Sequence, residues 1–140
     1  MKKTYSLLLA LLVLAMALTG CGQSAAPETT AATMAVQADG SVLGEGATVF
    51  TLEVTDLEGK TSTFEIHTDK EFVGEALQEL GLVAGEMGEY GLFINTVNGQ
   101  TLDWDKDGKY WAFYVAGEYA LTSADTTPVE AGVIYSLRAE

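Results

Sequence analysis

Hydrophobic and polar residues change period several times along this chain, and the changes predict its elements. From Val49 to Thr55 the residues alternate, with Phe50, Leu52 and Val54 on one side and Thr51, Glu53 and Thr55 on the other. That is the pattern of a half-buried strand. Asp56-Leu57-Glu58-Gly59-Lys60 reads as a turn, and Thr61 to His67 alternates again with Phe64 and Ile66 inward, which predicts a β-hairpin. The period then becomes helical. Thr68-Asp69-Lys70-Glu71 fits a capping box, and Phe72, Val73, Ala76, Leu77 and Leu80 fall on one helical face. Gly81 stands where a glycine ends a helix, so the spacing predicts a helix over about 69–80.

The rest of the chain reads as strands and loops. Leu82 to Tyr90 is rich in Gly and Glu and is expected to be a loop. Leu92 to Val97 is a short apolar strand, followed by Asn98-Gly99, a strong hairpin turn signal. Asp103 to Lys109 reads as a charged loop, Tyr110 to Val115 as an aromatic strand, Ser123 to Pro128 as a loop and Val133 to Leu137 as a last strand. Strand, strand, helix and further strands predict an α+β domain over 47–140. A mixed sheet crossed by one main helix is β-grasp-like.

The N-terminus has a different character. Lys2 and Lys3 precede an unbroken apolar run from Leu7 to Leu18. Twelve residues are too few to span a bilayer, which takes about 20, but they suit the core of a signal peptide. The run ends in Leu18-Thr19-Gly20-Cys21, which resembles a bacterial lipobox and makes Cys21 the candidate lipidation site after removal of residues 1–20. The other reading is an ordinary secretory signal with an incidental Cys. Residues 21–46 are dominated by small and polar side chains and read as a flexible linker, with a short strand near Met34–Val36 as the alternative.

Composition excludes several functions. Acidic residues outnumber basic ones 20 to 7, and loss of Lys2 and Lys3 would leave 20 against 5, a net charge of −15. Nucleic acid is held by clustered Lys and Arg, so it is not expected as a partner. One Cys excludes an internal disulfide and a Cys-based zinc site, and His67 is the only His. That His lies on the polar side of its strand, no phosphate-binding glycine loop or HExxH occurs, and no enzyme is expected. Asp103, Asp105 and Asp107 with Gly108 match the first half of a calcium loop. The twelfth position, which should be Glu, is Tyr114, and strands rather than helices flank the loop, so a metal-free Asp-Gly turn is the competing reading.

Aromatic residues carry the sharper signal. Trp104, Tyr110, Trp111, Phe113, Tyr114 and Tyr119 crowd one stretch. In a strand, Trp111, Phe113 and Val115 share one face and Tyr110, Ala112 and Tyr114 the other. One face should enter the core. The other suits a planar apolar ligand, unless its rings only half-pack against neighbours.

Gly91-Leu92-Phe93-Ile94-Asn95-Thr96-Val97-Asn98-Gly99, followed by Tyr110-Trp111, resembles the C-terminal domain of transcobalamin and intrinsic factor. Leu121, Ala124-Asp125 and Ile134 continue the likeness, which covers roughly 48–138. Two positions depart from it: Ala116-Gly117 replaces the usual Asn-Gly, and Gly132-Val133 the usual Gly-Asp. The resemblance implies a β-grasp domain that binds a soluble ligand, with cobalamin or a related corrinoid as that ligand rather than a catalytic cofactor. It implies a binding surface bordered by Phe93, Tyr110, Trp111 and Tyr114. Lacking the helical half of the transcobalamin pocket, this domain would cover one face of a corrin. The expectation is a lipid-anchored extracytoplasmic binder that serves an importer or a surface partner; the rival is a protein-interaction module that docks through a strand edge.

Overall fold

The computed structural model describes residues 35–140. The proposed signal peptide, Cys21 and most of the proposed linker lie outside the described residues. Among the described residues nine strands form two sheets: β1 (Val42–Gly44), β2 (Thr48–Thr55), β3 (Thr61–Thr68), β4 (Val83–Gly88), β5 (Gly91–Val97), β6 (Gln100–Thr101), β7 (Trp111–Val115), β8 (Glu118–Tyr119) and β9 (Ile134–Ala139). The main helix, α1, is Val73–Glu79, and a single turn, α2, is Trp104–Asp107.

The large sheet runs β1-β3-β2-β9-β7-β8, and β4-β5-β6 form the small one. A β2–β3 hairpin, a crossing helix and a last strand inserted parallel beside β2 make the β-grasp arrangement expected from the sequence. The alternating residues do what their period requires. Phe50, Leu52, Val54, Phe64 and Ile66 are buried with Val73, Ala76 and Leu77 of α1, and Trp111, Tyr135 and Leu137 join them. A seven-residue helix is too short to persist by propensity, so this burial holds it.

Four expectations need correction. The helix starts at Val73, not near Asp69. The capping box does not form: the Thr68 hydroxyl accepts from the Lys70 amide at 3.0 Å, and Phe72 is the N-cap with no side-chain bond. Glu71 and Phe72 instead run extended along Pro128, with the Val129 amide donating to the Glu71 carbonyl (2.8 Å) and the Val73 amide to the Thr127 carbonyl (2.9 Å). That pairing satisfies backbone groups that a longer helix would have used. Second, the expected loop 82–90 contains β4, paired antiparallel with β5 through a bulge between Ala84 and Gly85. Cross-strand pairing overrides the poor strand propensity of its Gly and Glu residues. Third, β1, within the stretch read as linker, lies parallel on β3. It is preceded by Gln37, whose amide donates to Asn98 Oδ1 (2.7 Å) while Asn98 Nδ2 donates back to the Gln37 carbonyl (3.1 Å). Fourth, the charged loop contains α2, because Asp103 caps it, accepting from the amides of Asp105 (2.9 Å) and Lys106 (3.3 Å).

Candidate functional site

Strands β5 and β7 and the segment after β8 enclose a cleft of about 170 Å³, lined in part by Phe93, Tyr110, Trp111, Phe113 and Tyr119. It continues into a second cleft of about 470 Å³ between the β4–β5 turn and residues 120–123, and the two share Leu92, Phe93, Ala120, Thr122 and Ser123. Large apolar side chains stand open to solvent around this groove: Tyr90 (89% exposed), Leu121 (98%), Tyr119 (55%) and Phe93 (54%).

Each ring is placed by its strand. Trp111 faces inward, is 6% exposed and donates from Nε1 to the Gln100 carbonyl at 3.3 Å. It forms the floor of the cleft rather than an open stacking surface. Phe113 stacks on buried Tyr135, with centroids 6.2 Å apart and planes 8° from parallel. Tyr110 stands at the mouth, edge-on to Trp104 at 6.0 Å. Partial burial and the neighbouring Tyr119 hydroxyl push the Tyr110 hydroxyl above its usual range.

Tyr114 projects to the far face of β7. Its hydroxyl donates to Glu140 Oε1 at 2.6 Å, its ring meets Tyr119 edge-on at 5.5 Å, and the Arg138 guanidinium lies 4.2 Å from the ring centre. The bond to Glu140, then desolvation, raise the Tyr114 pKa. The structure therefore brings Phe93, Tyr110 and Trp111 to one cleft and leaves Tyr114 outside its lining, in edge contact with Tyr119. Sequence reasoning omitted Tyr119, Tyr90 and Leu121 from the site. Tyr119 was visible in the aromatic cluster; Tyr90 and Leu121 sit in turns where no period marks a face.

The groove's wall is stapled by one carboxylate. Asp125, in a 3-10 turn (Ala124–Thr126), accepts from the Leu92 amide at 2.9 Å. Gly91 at φ +108° lets that turn approach, since a Cβ there would strike the Ser123 hydroxyl and come within 2.8 Å of Asp125 Oδ1. Burial alone would raise the Asp125 pKa, but bonds from the Ser123 hydroxyl and the Leu92 amide outweigh it and hold the carboxyl below 3.8.

The calcium candidates are arranged differently from a metal loop. Asp103 caps α2 and pairs with Lys106 Nζ at 3.1 Å, which lowers its pKa, and Asp107 Oδ2 accepts from the Asp103 amide at 2.9 Å. Among the described residues no three His, Cys, Asp or Glu side chains converge as metal ligands would. His67 stands on the outer face of the main sheet, bonded to Glu65 Oε1 at 2.7 Å, as its strand pattern predicts. Among the described residues, no helix is long and apolar enough to cross a membrane.

Comparison with known proteins places this geometry. Residues 71–133 match the family model described as domain of unknown function (DUF4430). A crystallised protein from Ruminococcus gnavus ATCC 29149, provisionally described as metal-binding, is 39% identical with a TM-score of 0.64. The match covers 67% of this chain and 97% of that protein. Haptocorrin, crystallised in complex with Cbi, shares the fold at 17% identity and a TM-score of 0.50. That match covers 66% of this chain but only 25% of haptocorrin, so this chain corresponds to about a quarter of that protein. No curated protein matches significantly. With its 39% identity across nearly the whole R. gnavus protein and the matching model over residues 71–133, the chain belongs to the family described as domain of unknown function (DUF4430).

Proposed function

We propose that the chain is a membrane-tethered, extracytoplasmic binding domain, not an enzyme, whose aromatic groove takes one edge of a soluble ligand, cobalamin or a related corrinoid. The groove itself carries the reading: Phe93, Tyr110 and Tyr119 present ring surface over a Trp111 floor, and Tyr90 and Leu121 extend it. Apolar ring faces open to water in this number favour a large flat partner that buries them. Support for the ligand class comes from the transcobalamin-like motifs and from haptocorrin, a protein of the same fold crystallised with Cbi, cobinamide. The groove is shallow, so it receives part of a corrin and leaves the remainder to a second protein, such as an importer component. Tethering rests on the apolar run and Cys21, where two or three acyl chains at about 0.8 kcal/mol per buried CH₂ would hold the chain firmly.

A second reading is a protein-docking module. It draws on β4, the outer strand of the small sheet, where Met87 is 71% exposed beside an unpaired backbone edge. Titrating the full chain with cobinamide while following tyrosine and tryptophan emission separates the two. Saturable quenching supports the corrinoid; emission that shows only inner-filter loss opposes it.

A further inference from the structure

We propose that the outer face of the main sheet carries a second small-molecule site, built on Glu53, Ser136 and Arg138, for a zwitterion of the α-amino-acid class with an apolar side chain. These three residues line a cleft of about 480 Å³ with Ala116, Gly117, Gly132, Val133 and Ile134. The volume is that of a small-ligand site. The cleft shares no lining residue with the aromatic groove, so the proposal stands apart from the corrinoid reading.

The charges are what call for a ligand. Arg138 is the chain's sole arginine, and the chain carries 20 acidic residues. Yet among the described residues no carboxylate forms an ion pair with it. Its guanidinium is laid on the Tyr114 ring at 4.2 Å, and that ring is itself held by the 2.6 Å bond from Tyr114 to Glu140. Glu140 is thus engaged by the tyrosine and leaves the guanidinium edge free. A half-buried, stacked guanidinium with open N–H groups is preorganised for a carboxylate.

The register sets Glu53 beside Ser136, one strand over, and Arg138 two residues further along β9 on the same face. Glu53 Oε2 receives only a long 3.4 Å bond from the hydroxyl of Ser136, a residue 2% exposed. Glu53 and Arg138 therefore face one cleft with opposite charges and without pairing. A ligand carrying an ammonium and a carboxylate on one carbon satisfies both, the carboxylate on Arg138 and the ammonium on Glu53. A plain anion would meet the Glu53 charge, and a plain cation the Arg138 charge. Ile134, 44% exposed, with Val133 and Ala116 forms an apolar wall for the remaining side chain.

Calorimetric titration of the full chain with leucine, isocaproate and isopentylamine tests this. Leucine is expected to bind saturably in the millimolar range or tighter, with isocaproate and isopentylamine each at least about tenfold weaker. Arg138→Gln and Glu53→Gln should each weaken leucine by about tenfold or more, with cobinamide titration unchanged and both variants still melting cooperatively, Arg138→Gln a little lower for the lost stack on Tyr114. Absence of leucine binding at millimolar concentration overturns the proposal. So does isocaproate binding as well as leucine on the wild-type chain, a comparison that needs no variant to fold. Equal leucine affinity in wild type and both variants would likewise overturn it.

Discussion

Asp125→Ala is the perturbation whose cost the structure defines best. Asp125 Oδ1 is the acceptor for the Leu92 amide at 2.9 Å, and Leu92 is 6% exposed. Removing the carboxylate strands that N–H where water reaches it poorly, which costs about 1–3 kcal/mol. Gly74 of α1 packs on the same turn so tightly that a Cβ there would lie 2.7 Å from the Asp125 amide, leaving little freedom to relax. Asp125→Asn keeps an acceptor and loses only the charge, so its cost should be roughly half as large. At about 4–8 °C per kcal/mol for a domain of this size, both variants are resolved by thermal melting at neutral pH. The pH dependence has a definite sign. The folded carboxyl is held below the ordinary 3.8, so its stabilisation is complete above that value and is lost as pH falls through the lower folded value. The gap between wild type and Asp125→Ala should therefore be constant from neutral pH down to about 5 and narrow below 3.8 toward the gap between Asp125→Asn and Asp125→Ala, because the protonated carboxyl keeps an acceptor for the Leu92 amide. Indistinguishable melting of wild type and Asp125→Ala at neutral pH would refute the staple. A gap that widens on acidification would refute its electrostatic origin.

Two further outcomes follow from particular residues. Ala116 and Gly117 form the two-residue turn between β7 and β8 with φ of 51° and 85°, a shape suited to Asn-Gly, so Ala116→Asn should raise stability by about 0.5–1 kcal/mol in denaturant unfolding; an unchanged midpoint would contradict the turn geometry. On the proposed lipid anchor, Cys21→Ala should leave the chain unprocessed or move it from the membrane to the soluble fraction, and a normally processed product retained in the membrane would defeat that proposal.

The strands that read clearly from the sequence were those with one wet and one dry face. In β2 and β3 the alternation of Phe50, Leu52, Phe64 and Ile66 with polar neighbours is itself the record of burial. β4 was illegible because its Gly and Glu residues owe their strand conformation to pairing with β5, which lies later in the chain. β1 is three residues long and shows no period. The start of α1 was misplaced because Pro128, more than fifty residues away, competes for the backbone that Thr68 and Glu71 would have capped. At the groove, strand alternation correctly separated Trp111 from Tyr114. It also paired Tyr110 with Tyr114, yet Tyr110 precedes β7 and lines the groove beside Trp111, while Tyr114, grouped with them by the resemblance, lies outside that lining. Tyr90 and Leu121 act from turns, and no local pattern predicts which turn residues converge.

The account stands most directly on calorimetric titration of the full chain with cobinamide, for wild type and for Tyr110→Ala/Tyr119→Ala. Wild type should bind saturably. The double variant removes two rings from the mouth of the groove without touching the Trp111 floor, so it should melt near wild type and bind at least about tenfold more weakly. No binding by wild type at millimolar cobinamide would contradict the corrinoid assignment, and equal binding by both proteins would contradict the groove as its site.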